Sequence, residues 1–403
     1  MNILSNFGYE TEILTPETAM KIGRILGVRQ SSGVGIGTDG DSGADMIADA
    51  VKIGIKFCGG NVFDYGVQNL PIMRSAVRFC RNDYGVYISR TRAVDRDEIS
   101  LVIMDKYGIE LSREQTDVLF KHGIEETVGG RKFGVEKRLS EFKTYYIRHM
   151  INSVKSREFK MNFNLTTALK TVSEVLSEVL SEFYGCMKEG CADNYEFGGE
   201  IVDGGDRIIL KKSDGEEITE EQALLVMTYV LLHDSSVRTF VLPESVSRAA
   251  EDAILKQGGN VIRTDGGRRQ RMEKMIACGS AEQLMMEFDG VYAAVRILDF
   301  LNRFDRSFDA LVDTLPKIFK AEAEIDCGGD IDEIINRIKK SMKSTQQTGS
   351  GGIKIQADSG IAVVVPMGTS GVIKVITEAE SIEAAEEISA DIKEKIKMLA
   401  KSK

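Results

Sequence analysis

The stretch EFGGEIVDGGDRIILKKSDG, Glu196–Gly215, poses the question on which the fold turns. "EIV" and "RIIL" are β-rich apolar runs, and Asp-Gly-Gly between two such runs is a strong hairpin signal. The same residues carry a second reading. Asp203 and Asp206 put two carboxylates on one tight loop, the hard oxygen donors that Mg²⁺ takes, and Arg207 beside them can hold a phosphate or cover a neighbouring acid. Two carboxylates are marginal for magnesium, whose sites draw further charge or a substrate phosphate. Turn or metal loop is decided by the rest of the chain.

At 403 residues the chain is too long for one hydrophobic core, so several domains are expected. Its 42% apolar and 28% charged residues suit a soluble globular protein. No run approaches the roughly 20 apolar residues that span a bilayer, so no membrane is expected. The start, MNILSNFGYETEIL, lacks a basic segment followed by an apolar one, so no signal peptide is expected and a cytoplasmic location is. Net charge is −10, and GGRRQRMEK (Gly266–Lys274) is the only compact basic group. Nucleic acid needs a broad positive face and is not an expected partner. A small anion needs only a locally positive pocket. The six cysteines form no Cys-x-x-Cys pair and the three histidines are far apart. That argues against zinc and against a disulfide framework; free, mostly buried thiols are expected.

The first 150 residues alternate helix and strand. LTPETAMKIGRILG begins on Thr15 as N-cap with Pro16 at the first helical position. GVGIG reads as a strand, and SGADMIADAVKIGIKFCGG as a helix capped by Ser42 with apolar positions Met46, Ile47, Ala50, Val51, Ile53 and Gly54. NVFDYG, LPIMRSAVRFC and YGVYIS continue as strand, helix and strand, which points to βαβ units and a largely parallel sheet. EISLVIMDKYGIEL adds a hairpin-like excursion. A helix over roughly Leu139 to Lys155 leads out of this unit, and NLTTALKTVSEVLSEVLSEFYGC reads as a second helix. TEEQALLVMTYVLLH follows the opening stretch as another. A new strand–helix–strand unit starts near Ser235, and GVYAAVRILDFLNRF is a helix with a strong apolar face. SMKSTQQTGSGG, Ser341–Gly352, reads as a linker. Beyond it lie the strands GIKIQ, GIAVVVP and GVIKVITEAE and a final helix. The expected class is α/β with four domains: 1–150, 151–234, 235–343 and a small α+β unit, 352–403.

Three further loops have chemical readings. In GVGIGTDGDSG (Gly33–Gly43) the glycines lie within the strand, unlike a dinucleotide loop, whose glycines follow it. VPMGTSGVIKV (Val365–Val375) places Gly368 and Thr369 at a turn with Lys374 in the next strand, either an anion-binding nest or an ordinary hairpin. RTDGGRRQR (Arg263–Arg271) is a basic glycine loop after a strand, a phosphate grip or a solvated turn.

Taken in order, these stretches resemble the α-D-phosphohexomutase superfamily, the phosphomannomutases and phosphoglucomutases, over essentially the whole chain. The resemblance implies four domains around a central cleft, three α/β and one smaller α+β. Gly37, Asp39 and Ser42 match the family's Gly-Arg-Asp-x-Arg-x-Ser element. Thr91 holds the phosphoserine position, and the family's His-Asn-Pro after it has become Arg92-Ala93-Val94. The Asp-Gly-Asp-Gly-Asp-Arg metal loop aligns through Asp206-Arg207, with Asp203 the only further acid nearby. Thr264, Gly267 and Arg268 match a Thr-x-x-Gly loop. The sugar motif Gly-Glu-x-Ser-Gly-His is replaced by AEQLMMEFDG, and the last phosphate loop is reduced to Val365–Gly371, keeping Gly368 and Thr369, with Lys374 where the family has arginine. The pattern resembles the mutase-like half of sugar-nucleotidyltransferase fusion proteins.

Mutase chemistry requires a phosphorylated nucleophile, a cation to stabilise the transferring group, and two grips on the substrate. The resemblance therefore implies either a weak or silent module that binds a hexose phosphate or other small anion, with little or no Mg²⁺ and a sugar-nucleotidyltransferase as partner, or a working mutase using Thr91 and Asp203/Asp206.

Overall fold

The computed structural model describes residues 14–401 apart from 93–96, 122–131, 184–194, 265–266, 328–330, 342–344, 348–351, 358–359 and 368–371. The chain is a mixed α/β protein that divides into two compact units, Met1–Ser235 with Ala281–Asp313, and Ser236–Ser280 with Thr314–Lys403.

The first unit opens with α1 (Pro16–Val28), β1 (Val34–Thr38), α2 (Ser42–Phe57), β2 (Val62–Val67), α3 (Leu70–Phe79), β3 (Tyr84–Arg92), β4 (Asp97–Asp105), α4 (Arg113–Lys121) and β5 (Glu136–Arg138). The strands form one sheet in the order β4-β3-β1-β2-β5. β1 is central, fully buried, and parallel to both β2 and β3, as βαβ connections require. β3 and β4 pair antiparallel; of EISLVIMDKYGIEL, read as a hairpin-like excursion, only β4 is a strand, with a single antiparallel bridge from Met104 to Glu110. Thr15 caps α1, accepting from the Thr18 N–H at 3.3 Å. The α2 cap is Asp41, whose carboxylate accepts from Gly43 N at 2.8 Å; Ser42, expected as the cap, is the first helical residue. Ile47, Val51 and Ile55 of α2 bury against Ile22, Leu26 and the strands, whereas Met46 and Ile53 are about half exposed.

α1 and α2 approach backbone to backbone. A Cβ on Gly54 would lie 2.1 Å from the Met20 carbonyl oxygen and 2.8 Å from Arg24 N. Neither backbone atom can move without parting the helices, so Gly54→Ala is expected to destabilise the first unit by about 1–3 kcal/mol. An unchanged urea midpoint would show that the helices separate freely.

The chain continues with α5 (Phe142–Ser153), β6 (Phe163–Thr166), α6 (Lys170–Ser181), β7 (Phe197–Val202), β8 (Arg207–Lys211) and α7 (Glu220–Asp234). NLTT does not join the helix after it: β-branched Thr166 closes β6, Leu169 is extended, and α6 starts at Lys170. β6 runs parallel to β7, and β7 and β8 form the antiparallel hairpin expected of Glu196–Gly215. α7 begins on a capping box in which Thr219 and Gln222 each bond the other's backbone N–H.

The second unit holds β9 (Thr239–Pro243), α8 (Arg248–Lys256), β10 (Asn260–Thr264) and α9 (Arg268–Ala277). The chain then returns to the first unit for α10 (Ala281–Phe288), α11 (Gly290–Arg303) and α12 (Phe308–Asp313). It ends in the second with β11 (Phe319–Asp326), α13 (Ile331–Ser341), β12 (Thr345–Gln347), β13 (Ile353–Ala357), β14 (Gly360–Met367), β15 (Val372–Ala379) and α14 (Ile382–Lys401). β9 and β10 are parallel, and the final sheet, β11-β15-β14-β13-β12, is antiparallel throughout. The stretch read as a linker contains β12, because its Thr and Gln residues pair with β13 instead of remaining solvated. Cys80 is exposed, contrary to the expectation of mostly buried thiols.

Candidate functional site

Val202 pairs with Arg207, so residues 203–206 make the turn between β7 and β8. Asp203, Gly204 and Gly205 have φ of 53°, 73° and 99°, three successive left-handed residues that two glycines and a locally bonding aspartate tolerate. The turn rests on the start of α3. A Cβ on Gly205 would sit 3.4 Å from Pro71 Cδ, and one on Gly204 3.5 Å from Leu70 Cβ. Asn69 caps that helix, accepting from Ile72 N at 3.0 Å. One helical turn beyond Leu70, on the same face, stands Arg74.

Arg74 grips Asp206 with both ends of its fork. Nη1 donates to Oδ1, and Nη2 donates to Oδ2 at 2.9 Å and to Glu110 Oε1 at 2.7 Å. Asp206 is 2% exposed and Arg74 6%. Burial pushes the guanidinium below its ordinary value while Glu110 pulls it back, and an arginine side chain keeps its charge in proteins. Asp203 is more than half exposed and accepts from Arg207 Nε at 2.9 Å, while Arg207 Nη1 donates to Glu220 at 2.9 Å. The two acids therefore share a turn and have different partners.

At the C-terminal ends of β1 and β3 a second set of charges is paired. Asp39 accepts from Arg90 N at 2.8 Å, and Arg90 Nη1 donates to Asp41 at 3.0 Å. The Gly43 N–H and then Arg90 hold the Asp41 carboxyl below the usual carboxylate range. Thr91 follows in β3 opposite Glu98; its side chain lies outside the described residues.

In the second unit Thr264 closes β10, its carbonyl accepting from Glu244 N at 3.0 Å. Gly267 caps α9 and Arg268 begins it, both exposed. Lys374 lies on β15 with Nζ 2.7 Å from Glu322 Oε2. Gly368 and Thr369 lie outside the described residues.

Residues 5–127 match the phosphoglucomutase/phosphomannomutase alpha/beta/alpha domain I. A phosphoglucomutase/phosphomannomutase of Thermococcus kodakarensis is 22% identical across 94% of both chains. The chain is therefore similar to the phosphoglucomutase/phosphomannomutase family, through its domain I over residues 5–127 and through distant relatives over nearly its whole length. Two solved structures share its fold. A family protein from Burkholderia thailandensis superposes with a TM-score of 0.76 at 16% identity, covering 96% of this chain and 95% of its own. An Aspergillus fumigatus N-acetylphosphoglucosamine mutase, solved with GlcNAc-6P and magnesium, gives 0.52 at 8% identity, covering 82% of this chain and 92% of its own.

Magnesium is present in the Aspergillus fumigatus complex, and the turn at 203–206, which resembles a metal loop in sequence, is the place to test for it here. Mg²⁺ demands several oxygen donors in near-octahedral geometry. Both Asp206 oxygens accept from Arg74, Asp203 is paired with Arg207, and the positions between are glycine. Among the described residues no group of three His, Cys, Asp or Glu is placed to hold a metal. The donor set does not fit Mg²⁺.

Sequence reasoning passed over Arg74, although its spacing of four from Leu70 puts a charge on the apolar face of α3, itself a sign of a buried ion pair. It also passed over Asp289, which caps α11 in a 3% exposed position. Its Oδ1 accepts from Val291 N at 3.1 Å and Tyr292 N at 3.0 Å, and its Oδ2 from the Tyr146 hydroxyl. Burial pushes this carboxyl up to about 6 despite those donors. Its folded value lies above its unfolded one, so the folded state holds the proton more tightly. Stability is then expected to fall as pH rises from about 4 to about 6 and to level off above. Asp289→Asn keeps the cap acceptor and should flatten that slope in urea midpoints measured between pH 4 and 7. An unaltered slope would assign it to other groups.

Proposed function

We propose that this chain is a catalytically weak or silent module that binds a hexose phosphate or a similar small anion in sugar-nucleotide metabolism, beside a sugar-nucleotidyltransferase. The observation that carries the reading is the internal pairing of its charged groups. Asp206 is held by Arg74, Arg207 by Asp203 and Glu220, Arg90 by Asp41, and Lys374 by Glu322. A phosphoryl-transfer site needs such charges aimed at the developing transition state, and losing one element of this kind costs ~10²–10³ in rate. Binding is supported by the matched length and by the exposed Gly267–Arg268 start of α9, whose backbone donors suit an anion once Arg268 adds its charge. Each of the four sheets is proposed to mark one domain of the family's four-domain plan.

The test is incubation with a hexose 1-phosphate, Mg²⁺ and the 1,6-bisphosphate activator, beside thermal unfolding with a hexose 6-phosphate. No 6-phosphate product and a raised melting temperature are expected. Turnover abolished in Thr91→Ala would establish the working-mutase reading instead, and an unmoved melting temperature would remove the binding role.

A further inference from the structure

We propose that Arg74 is a built-in cation that closes the turn at residues 203–206 to divalent metal, so that the turn keeps its shape and charge balance without one. The proposal rests on the geometry of that turn and not on the proposed binding role. A buried carboxylate must be paired, and the partner can be a metal ion or an organic cation. Here it is an organic cation reaching from a different element. Arg74 sits on α3, in the same face as Leu70, against which the turn packs, so seating the turn on the helix and neutralising Asp206 are one event. The guanidinium engages both Asp206 oxygens and extends to Glu110, a planar two-pronged arrangement that a lysine's point charge would not reproduce. Glu110 leaves the pair with a second acid on its outer side, so the fork is anchored from two directions. A divalent ion entering the turn would have to displace a fixed positive charge from a 2% exposed carboxylate and accept Asp203, already paired with Arg207, as its only other nearby acid on the turn.

The experiment is titration of the full chain with Mn²⁺ alone, followed by the electron paramagnetic resonance signal of the free aqueous ion. Wild type and Asp206→Asn are expected to leave the same free Mn²⁺ at every concentration up to the millimolar range. Arg74→Gln, which removes the charge and keeps a donor, is expected to take up Mn²⁺ that Arg74→Gln with Asp206→Asn does not. One Mn²⁺ per wild-type chain, lost in Asp206→Asn, would overturn the proposal. So would an Arg74→Gln protein that folds, by circular dichroism, and gains no Mn²⁺. If that variant fails to fold, the comparison of wild type with Asp206→Asn decides alone. A hexose phosphate is absent from every arm, so failure here leaves the proposed binding role standing, and the reverse.

Discussion

Arg74→Met is expected to lower the unfolding free energy of the first unit by about 3–5 kcal/mol, the cost of leaving a buried charge without its partner. Methionine fills much the same volume, so the loss isolates charge from packing. What remains is the Asp206 carboxylate, 2% exposed and no longer balanced, and Glu110 without the guanidinium it faced at 2.7 Å. The penalty belongs to the orphaned acid more than to the missing bond, so adding Asp206→Leu to Arg74→Met should recover most of it. Urea unfolding of the single and double variants measures both quantities. A loss below about 1 kcal/mol in the single variant would mean that water reaches Asp206, and the turn is then held by its glycine geometry alone.

Asp234→Ala is expected to cost a similar amount, about 3–5 kcal/mol, for a related reason at the end of α7. Asp234 accepts from Lys155 Nζ at 2.8 Å and Arg296 Nη2 at 2.9 Å, and lies 2.5 Å from Arg303 Nη2. Arg296 is 3% exposed, and Asp299 beside it is fully buried, accepting from Ser156 N at 2.8 Å and Lys155 N at 3.1 Å. This network ties the chain after α5 to α7 and α11. Without Asp234 the buried Arg296 and the partly buried Arg303 share one acid, Asp299. Burial pushes the Asp234 carboxyl up, but the hydrogen bonds from Lys155 and Arg303 and the neighbouring positive charges outweigh it, leaving the group below its usual value. A depressed folded value contributes stability that is present above the ordinary carboxylate range and lost as pH falls through the folded value. The gap between wild type and Asp234→Ala should therefore close well below pH ~4. A gap that persists in acid would assign the loss to packing.

These two pairs show where local reading stops. The elements were legible because each is written in neighbouring residues: Thr15-Pro16 at a helix start, Asp-Gly-Gly at a hairpin. Where the structure differs, a nearby preference was outweighed. Asp41 caps α2 in place of Ser42 because its carboxylate reaches Gly43 N while also meeting Arg90, 49 residues away. Thr345–Gln347 looks solvated in sequence and becomes a strand because β13 offers its edge.

The hairpin of Glu196–Gly215 divides the same way. Its strands, its turn and the three left-handed residues that close it follow from the order of apolar residues, aspartate and glycine along 20 positions, since backbone preference acts over a few bonds. That Asp206 belongs to Arg74 could not be read there, because the partners stand 132 residues apart. Charge pairing depends on distance in space and on burial, and the chain acquires both only when α3 and the turn pack together. The same composition of acids and arginines is compatible with an open metal loop or a closed ion pair, and tertiary packing alone chose the latter.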